Sequence, residues 1–142
     1  MIKVQTGQII EFYSNSCRVA ATSNTFKCRI QGRIDLVVGD YVRIAPAEGL
    51  SDCDAIVTER LDRDTALFKS KDKITKTVAA NISHLGILVT FNPKTSLEFI
   101  DKWIVIALHS KVRPFIVFNK IDALEKDAFK FLRNIYQDLQ IP

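Results

Sequence analysis

The period of the hydrophobic pattern changes along this chain, and that change limits the fold more than any other feature. In the first sixty or so residues, apolar and polar side chains alternate over short runs that are separated by turn residues such as Gly39-Asp40. The runs are Gly7–Tyr13 and residues 17–21, 26–31, 41–44 and 55–58. Alternation with period two is typical of half-buried strands. Five such strands predict a small barrel, for which an OB-fold is the natural candidate and an SH3-like barrel fits nearly as well.

The second half of the chain has a different pattern. Two apolar runs, Leu85–Thr90 and Pro114–Phe118, are of the buried-strand type. Apolar residues then recur at helical spacing between Leu97 and Leu108, and again from Glu125 onward. Thr95 and Glu98, three residues apart, predict a capping box at the start of the first helix. Strand, helix, strand and helix in this order predict a right-handed parallel α/β unit.

A basic stretch separates the two patterns. It contains four lysines within eight residues, opposed only by Asp72: Lys69, Lys71, Lys73 and Lys76. We expect a barrel domain over residues 1–66, a basic linker or exposed loop over 67–80, and an α/β domain over 81–142. Residues 1–66 hold 8 basic and 9 acidic side chains, whereas residues 67–142 hold 12 and 7. This basic excess is compatible with RNA binding but does not demonstrate it.

Composition narrows the class of protein. Hydrophobic residues make up 47% and charged residues 25% of the 142 residues, as in soluble globular proteins. The sequence has no apolar run near the ~20 residues that span a bilayer and no signal-peptide pattern, so we expect a cytoplasmic protein without membrane contact. The cysteines (Cys17, Cys28 and Cys53) are odd in number and show no C-x-x-C spacing. They are expected to be reduced and buried, with neither a disulfide framework nor a metal site in this chain.

One motif carries recognisable chemistry. The second apolar run leads directly into Asn119-Lys120-Ile121-Asp122, which is the N-K-x-D guanine-specificity motif of GTPases. The carboxylate of Asp122 can accept hydrogen bonds from guanine N1–H and the N2 amine, and adenine offers neither donor there. The stem of Lys120 can lie over the base, and the amide of Asn119 can bond the base edge and nearby backbone. A loop after a parallel strand is also where open α/β sheets bind ligands.

The phosphate-binding motif that normally accompanies N-K-x-D is missing from the sequence. The chain has five glycines, and none of them belongs to a G-x-x-x-x-G-K-[ST] loop. Either that loop comes later in a longer protein, or this domain binds no triphosphate. A metabolic α/β enzyme is a weaker interpretation, because the sequence has no convincing nucleophile, metal cluster or carboxylate pair.

Several stretches together resemble one bacterial family, the small-ribosomal-subunit-dependent GTPase A family. The matching stretches are Lys69-Ser70, Ala79–His84, Leu88–Thr90, Thr95–Leu97, Phe99–Lys102 and Asn119–Leu124. The resemblance implies an N-terminal five-stranded OB-fold, followed by an incomplete, circularly permuted P-loop-type GTPase domain in which the guanine motif precedes the phosphate loop.

The same resemblance implies a function and partners. It implies GTP and GDP binding, GTP hydrolysis stimulated by the small ribosomal subunit, and a role in late maturation of that subunit as a cytoplasmic monomer. It also implies Mg²⁺ and a C-terminal Zn²⁺ domain, whose ligands would lie beyond Pro142. The chain is therefore expected to be a fragment, catalytically inactive alone. The alternative is a non-enzymatic OB-fold RNA-binding protein with a fused α/β domain.

The barrel offers candidate contacts for ribosomal RNA. Lys27, Arg29 and Arg33 share one parity and are predicted to point outward together from the third strand. Arg43 lies on a neighbouring strand, and Lys69, Lys71 and Lys73 of the basic stretch could add phosphate contacts. A merely solvated barrel face is about equally compatible with these residues.

Overall fold

The computed structural model of the protein describes four stretches of the chain: residues 4–22, 24–71, 74–123 and 126–142. The contacts divide the chain into two compact units, Met1–Ile82 and Ser83–Pro142. The boundary therefore falls just after the basic stretch, which belongs to the first unit.

Five strands in the described part of the first unit close into a barrel. They are β1 (Gln5–Phe12), β2 (Ser16–Ala20), β3 (Thr25–Ile30), β4 (Tyr41–Pro46) and β5 (Ala55–Arg60). Their order around the barrel is β1-β2-β3-β5-β4, and β4 pairs back with β1. The β3–β5 pair is parallel, whereas the other neighbours are antiparallel. This five-stranded Greek-key order confirms the predicted OB-fold.

The barrel core follows directly from the alternating sequence. Each strand turns every second side chain inward, and these side chains fill the interior. The buried core is made of Ile9, Cys17, Val19, Cys28, Leu36, Val42, Ile44, Ala55 and Val57. Cys17 and Cys28 face each other across β2 and β3 as free thiols, while Cys53 is partly exposed in the loop before β5.

The segment for which the sequence predicts a linker forms a β-hairpin instead. Strand β6 (Ala66–Lys71) pairs antiparallel with β7 (Ile74–Ala80). Lys69 lies opposite Lys76, and both are exposed. The sequence does not predict the hairpin, because its lysines break the alternation of apolar and polar residues. The buried side chains of the hairpin include Leu67 and Ala80.

An ion pair fixes the start of this hairpin to the barrel. Asp40 is completely buried, and it is the one buried charged side chain among the described residues. The guanidinium of Arg63 donates to both of its carboxylate oxygens, at 2.6 and 2.8 Å, and the backbone N–H of Val37 donates at 2.8 Å. Hydrogen bonding to Asp40 raises the pKa of Arg63, so the guanidinium stays charged. Every buried oxygen of the carboxylate thus has a partner, as a buried charge requires.

Further hydrogen bonds hold the end of β7, which lies at the same open end of the hairpin because Ala80 pairs with Ala66. The N–H of Ala80 donates to the carbonyl of Val38 at 3.0 Å, and the side chain of Asn81 donates to the carbonyl of Gly39 at 3.0 Å. Gly39 has φ +94°, and a Cβ there would overlap the carbonyl oxygen of Ala80. Only glycine therefore permits this approach of hairpin and barrel.

The second unit contains a parallel pair of strands and two helices in its described part. They are β8 (His84–Val89), α1 (Leu97–His109), β9 (Arg113–Phe118) and α2 (Lys126–Asp138). Both helices pack on one face of the sheet, where Ile87 and Val89 contact a core that includes Ile104 and Leu132. The opposite face leaves Leu88 exposed. None of the described helices has the length and apolar character needed to cross a membrane.

The cap of α1 differs from the prediction. Ser96, not Thr95, occupies the N-cap, and its hydroxyl accepts the N–H of Phe99 at 3.2 Å. The hydroxyl of Thr95 instead accepts the N–H of Thr90 at 3.0 Å. The predicted capping box was therefore wrong by one residue. The hydroxyl of Thr95 is already used by the hydrogen bond from Thr90 at the other end of the β8–α1 loop, so it does not cap the helix.

We predict that Arg63→Ala lowers the free energy of unfolding by about 3–5 kcal/mol, because it leaves Asp40 buried without its counter-charge. Urea denaturation measures this change. Arg43→Ala serves as the control, because Arg43 forms an ion pair with Glu59 in which both side chains are half exposed. It should cost no more than about 1 kcal/mol. Equal losses in the two variants would contradict the anchoring role of Asp40.

Candidate guanine-nucleotide site and RNA-binding surface

The guanine motif lies at the carboxyl edge of the parallel strands. Asn119 follows the last residue of β9, and its N–H donates to the carbonyl of Val89, the last residue of β8, at 2.9 Å. The two strand ends therefore meet at the motif. In open α/β sheets this edge is where ligands bind.

The motif forms a tight and exposed loop. Lys120 has φ +54°, a left-handed conformation that is uncommon for a residue with a side chain. Its N–H donates to the side-chain oxygen of Asn119 at 2.9 Å, and a 3₁₀ turn follows at Ile121–Ala123. The side chains of Asn119, Lys120, Ile121 and Asp122 are all exposed. The carboxylate of Asp122 is thus open to a ligand.

A row of aromatic rings supports the base of this loop. Phe118 immediately precedes the motif, and its ring stacks on Phe91 at 6.2 Å between centroids, with 20° between the planes. On another side it meets Phe129 of α2 edge-on at 5.0 Å. Residues before and after the motif are therefore joined through Phe118.

The β8–α1 loop, which carries Phe91, is itself closed by hydrogen bonds. Thr90 donates its N–H to the hydroxyl of Thr95, and Thr95 returns its N–H to the carbonyl of Thr90 at 2.9 Å. The hydroxyl of Thr90 also donates to the carbonyl of Pro93 at 2.7 Å. These bonds hold Phe91 at one end of a compact loop.

A buried hydrogen bond joins the two helices of this unit. Tyr136 of α2 is almost fully buried, and its hydroxyl donates to Asp101 of α1 at 2.8 Å. Burial, together with this hydrogen bond, raises the pKa of Tyr136 to about 12. The tyrosine therefore remains neutral and bonded well above physiological pH.

Other features of the unit do not coincide with the motif. A cavity of about 790 Å³ is lined by residues that include His84 and Arg113, which begin β8 and β9. It therefore lies at the amino edge, away from Asp122.

Within the described ranges, no cluster of three or more His, Cys, Asp or Glu side chains could hold a metal ion.

The barrel presents part of the basic surface that the sequence predicts. Lys27 and Arg29 share the outer face of β3, while Cys28 between them is buried. Arg18 of β2 lies opposite Lys27 and adds a third exposed cation. Arg33 is exposed but lies beyond the end of β3, in the loop before β4, so it is not on that strand face as the prediction had it. The strand ends early because Gly32 adopts φ +79°.

The remaining candidate cations are dispersed. Arg43 lies on β4 and is ion-paired to Glu59 at 3.4 Å, which reduces its availability for phosphate. Lys69 is exposed on β6. Lys71 ends that strand, its side chain is not described, and Lys73 lies outside the described residues.

Comparison with known proteins now assigns the family. The sequence model described as RsgA GTPase matches residues 60–142, which is more than half of the chain. The chain belongs to the RsgA GTPase family.

Relatives and solved structures agree with this assignment. The small ribosomal subunit biogenesis GTPase RsgA of Nitrosomonas europaea is 32% identical over 124 residues, covering 86% of this chain and 38% of that protein. The crystal structure of YjeQ from Thermotoga maritima matches with a TM-score of 0.65 and 26% identity, covering 94% of this chain and 48% of that one. YloQ, a circularly permuted GTPase, matches with a TM-score of 0.67 and 20% identity, covering 97% and 50%. The chain thus spans between 38% and 50% of the length of these relatives.

The predicted fold is therefore confirmed as an OB-type barrel followed by part of a circularly permuted GTPase domain. The residues that support the guanine loop of this RsgA-family chain had no sequence signal of their own. Phe91 and Phe129 occur in apolar patterns that indicate core packing, and their meeting at Phe118 depends on the fold.

We predict that Tyr136 ionises later than an ordinary tyrosine in the folded protein, with a pKa of about 12. Between pH 10 and 12 the unfolded chain loses this proton and the folded chain keeps it, so the free energy of unfolding falls as pH rises through this window. Ultraviolet titration of Tyr136→Phe should lack the late phenolate step. Tyr41→Phe, at an exposed position, should keep it. Loss of the late step in Tyr41→Phe would contradict the assignment.

Proposed function

We propose that this chain is the amino-terminal part of a GTPase that acts on the small ribosomal subunit during its late maturation. The observation that carries the proposal is the N-K-x-D loop, Asn119–Asp122, exposed at the carboxyl edge of β8 and β9 in a member of the RsgA GTPase family. The name of the Nitrosomonas relative, a small ribosomal subunit biogenesis GTPase, supports the subunit as the partner. We expect the protein to act in the cytoplasm as a monomer.

In this proposal, the chain supplies recognition of the guanine base of GTP and GDP. The carboxylate of Asp122 accepts hydrogen bonds from guanine N1–H and N2–H, and the stem of Lys120 covers the base. The side chain of Asn119 already accepts the N–H of Lys120, which keeps the strained turn in shape for the base. An adenine base would leave the carboxylate desolvated and without donors.

Hydrolysis requires groups that this sequence does not contain. Positioning and charge stabilisation around the phosphates supply nearly all of the catalysis of phosphoryl transfer. The sequence has no G-x-x-x-x-G-K-[ST] loop, and the relatives it matches are more than twice as long. We therefore propose that the phosphate loop, the Mg²⁺ site and the Zn²⁺ domain belong to the rest of the complete protein, and that residues 1–142 alone bind nucleotide weakly and do not hydrolyse GTP.

We predict that Asp122→Asn in the complete protein weakens GTP binding by roughly 30-fold or more. Hydrogen bonds to a charged group contribute about 1.5–3 kcal/mol each, and 1.4 kcal/mol is a factor of ten. An amide can donate to the 2-oxo group of xanthine, so the variant should gain affinity for xanthosine triphosphate. Competition binding with both nucleotides measures the shift.

Asp127→Asn is the matched control, because it removes an exposed carboxylate from the first turn of α2 without touching the motif. It should retain the preference for GTP. If Asp122→Asn also retained that preference, Asp122 would not read the base and the proposed nucleotide site would be wrong.

We further propose that the outer face of β2 and β3 contacts ribosomal RNA. Arg18, Lys27 and Arg29 are neighbours on this face. Tyr13, the residue after β1, is exposed. Cationic side chains suit phosphates, and an exposed aromatic ring suits stacked bases. Glu11 forms an ion pair with Arg18 at 3.6 Å and accepts the Tyr13 hydroxyl at 2.9 Å. Arg33, Arg43, Lys69, Lys71 and Lys73 remain candidate additional contacts.

We predict that the double change Lys27→Ala and Arg29→Ala weakens co-sedimentation with the small subunit and lowers the slope of its salt dependence by roughly 1 to 2, because fewer counterions are released. Thermal melting should be nearly unchanged, since both side chains are exposed. The control is Lys130→Ala with Arg133→Ala, which removes the same charge from α2. An unchanged salt slope in the barrel variant would assign this face to solvent.

A further inference from the structure

The position of the guanine loop depends on its junction with β9. Its first residue, Asn119, is held by the hydrogen bond from its N–H to the carbonyl of Val89 at 2.9 Å. The residue before it, Phe118, is partly buried and belongs to the core of this unit. The four motif side chains themselves are exposed, so the loop takes its position from this junction.

The ring of Phe118 is held between two others. Phe91, from the β8–α1 loop, stacks nearly parallel to it at 6.2 Å, and Phe129, from the helix after the motif, meets it edge-on at 5.0 Å. Both arrangements are favourable for aromatic pairs and fix relative orientation as well as distance. Phe91 is itself fixed, because the hydrogen bonds of Thr90 to Thr95 and Pro93 close its loop.

We propose that Phe91 is a positioning residue for guanine recognition. It acts through Phe118, whose orientation determines where Asn119 leaves the strand and hence where Asp122 meets the base. The inference rests on the proposed function, and it extends the nucleotide site to a residue outside the N-K-x-D motif, on the preceding strand-to-helix loop. A small displacement at such a junction is costly, because hydrogen bonds to the base weaken steeply once their angles depart from linear.

The test uses the complete protein with Phe91→Leu, which keeps an apolar side chain but removes the stacked ring. The dissociation constant for a fluorescent GDP derivative should rise about two- to tenfold, the range expected for loss of an aromatic pair. The KM for GTP should rise by a similar factor with kcat unchanged, because base contacts hold substrate and transition state equally. Phe91→Tyr, which retains the ring, should restore affinity to within about twofold of the original protein.

Phe99→Leu is the matched control. Phe99 also packs edge-on against a ring, that of Trp103 at 6.3 Å, but it lies on α1. It should lower thermal stability slightly and leave GDP affinity unchanged.

Hydrogen exchange adds an independent measurement. In Phe91→Leu, the amides that follow β9 should exchange faster, since the hydrogen bond from Asn119 to Val89 is less well held. Phe129→Leu, acting on the other side of Phe118, should weaken GDP binding in the same direction and serves if Phe91→Leu does not fold.

The outcomes separate this inference from the function on which it rests. If Asp122→Asn weakens GDP binding while Phe91→Leu and Phe129→Leu leave it unchanged, the positioning role is wrong and the nucleotide site stands. If the unaltered complete protein fails to bind GDP, both are wrong. A lower melting temperature with unchanged GDP affinity would reduce Phe91 to a purely structural residue and overturn the proposal.

Discussion

The buried carboxylate of Asp40 is the constraint on which the first unit depends. A charge without solvent must be paired, and the partner that meets it, Arg63, comes from the chain just after β5. This pairing fixes the direction in which the chain leaves the barrel and places the start of the β6–β7 hairpin. The contact between Gly39 and Ala80 then holds the last residue of β7, which pairs with Ala66 at the same end of the hairpin. Barrel and hairpin are consequently one compact unit that extends to Ile82.

The second unit has a corresponding constraint at the carboxyl edge of its strands. Parallel pairing brings Val89 and Phe118 level, so that the loops following β8 and β9 start side by side. One loop is closed upon itself by threonine side chains, and the other carries the guanine motif with a left-handed lysine at its centre. The exposed motif takes its position from neighbouring elements, because its internal bond between Lys120 and Asn119 is local and the N–H of Asn119 donates to the carbonyl of Val89. The proposed base recognition would therefore depend on the aromatic packing beneath the loop.

Much of this organisation could be predicted because it depends on local patterns. The five barrel strands follow alternation, and the guanine motif is recognised from four consecutive residues at the end of an apolar run. The errors occurred where long-range contacts compete with local signals. Thr95 has the spacing of a capping residue, yet its hydroxyl is used by Thr90 and Ser96 caps the helix. The lysines of residues 69–76 resemble a linker, yet Lys69 and Lys76 are opposed, exposed positions of a hairpin whose buried side chains include Leu67 and Ala80. Arg33 has the parity of a strand residue, but β3 has already ended.

By itself, the sequence determined the class of each half, the inward-facing residues of the barrel and the position of the N-K-x-D motif, whose side chains are proposed to read guanine. These are consequences of side-chain period and of hydrogen-bonding chemistry, which act over a few neighbouring residues. The tertiary structure alone decided the order of the barrel strands, the partner of Asp40 and the meeting of Phe91, Phe118 and Phe129. Each of these joins residues distant in the chain, and such pairings follow from how packed elements share space, which no local pattern encodes.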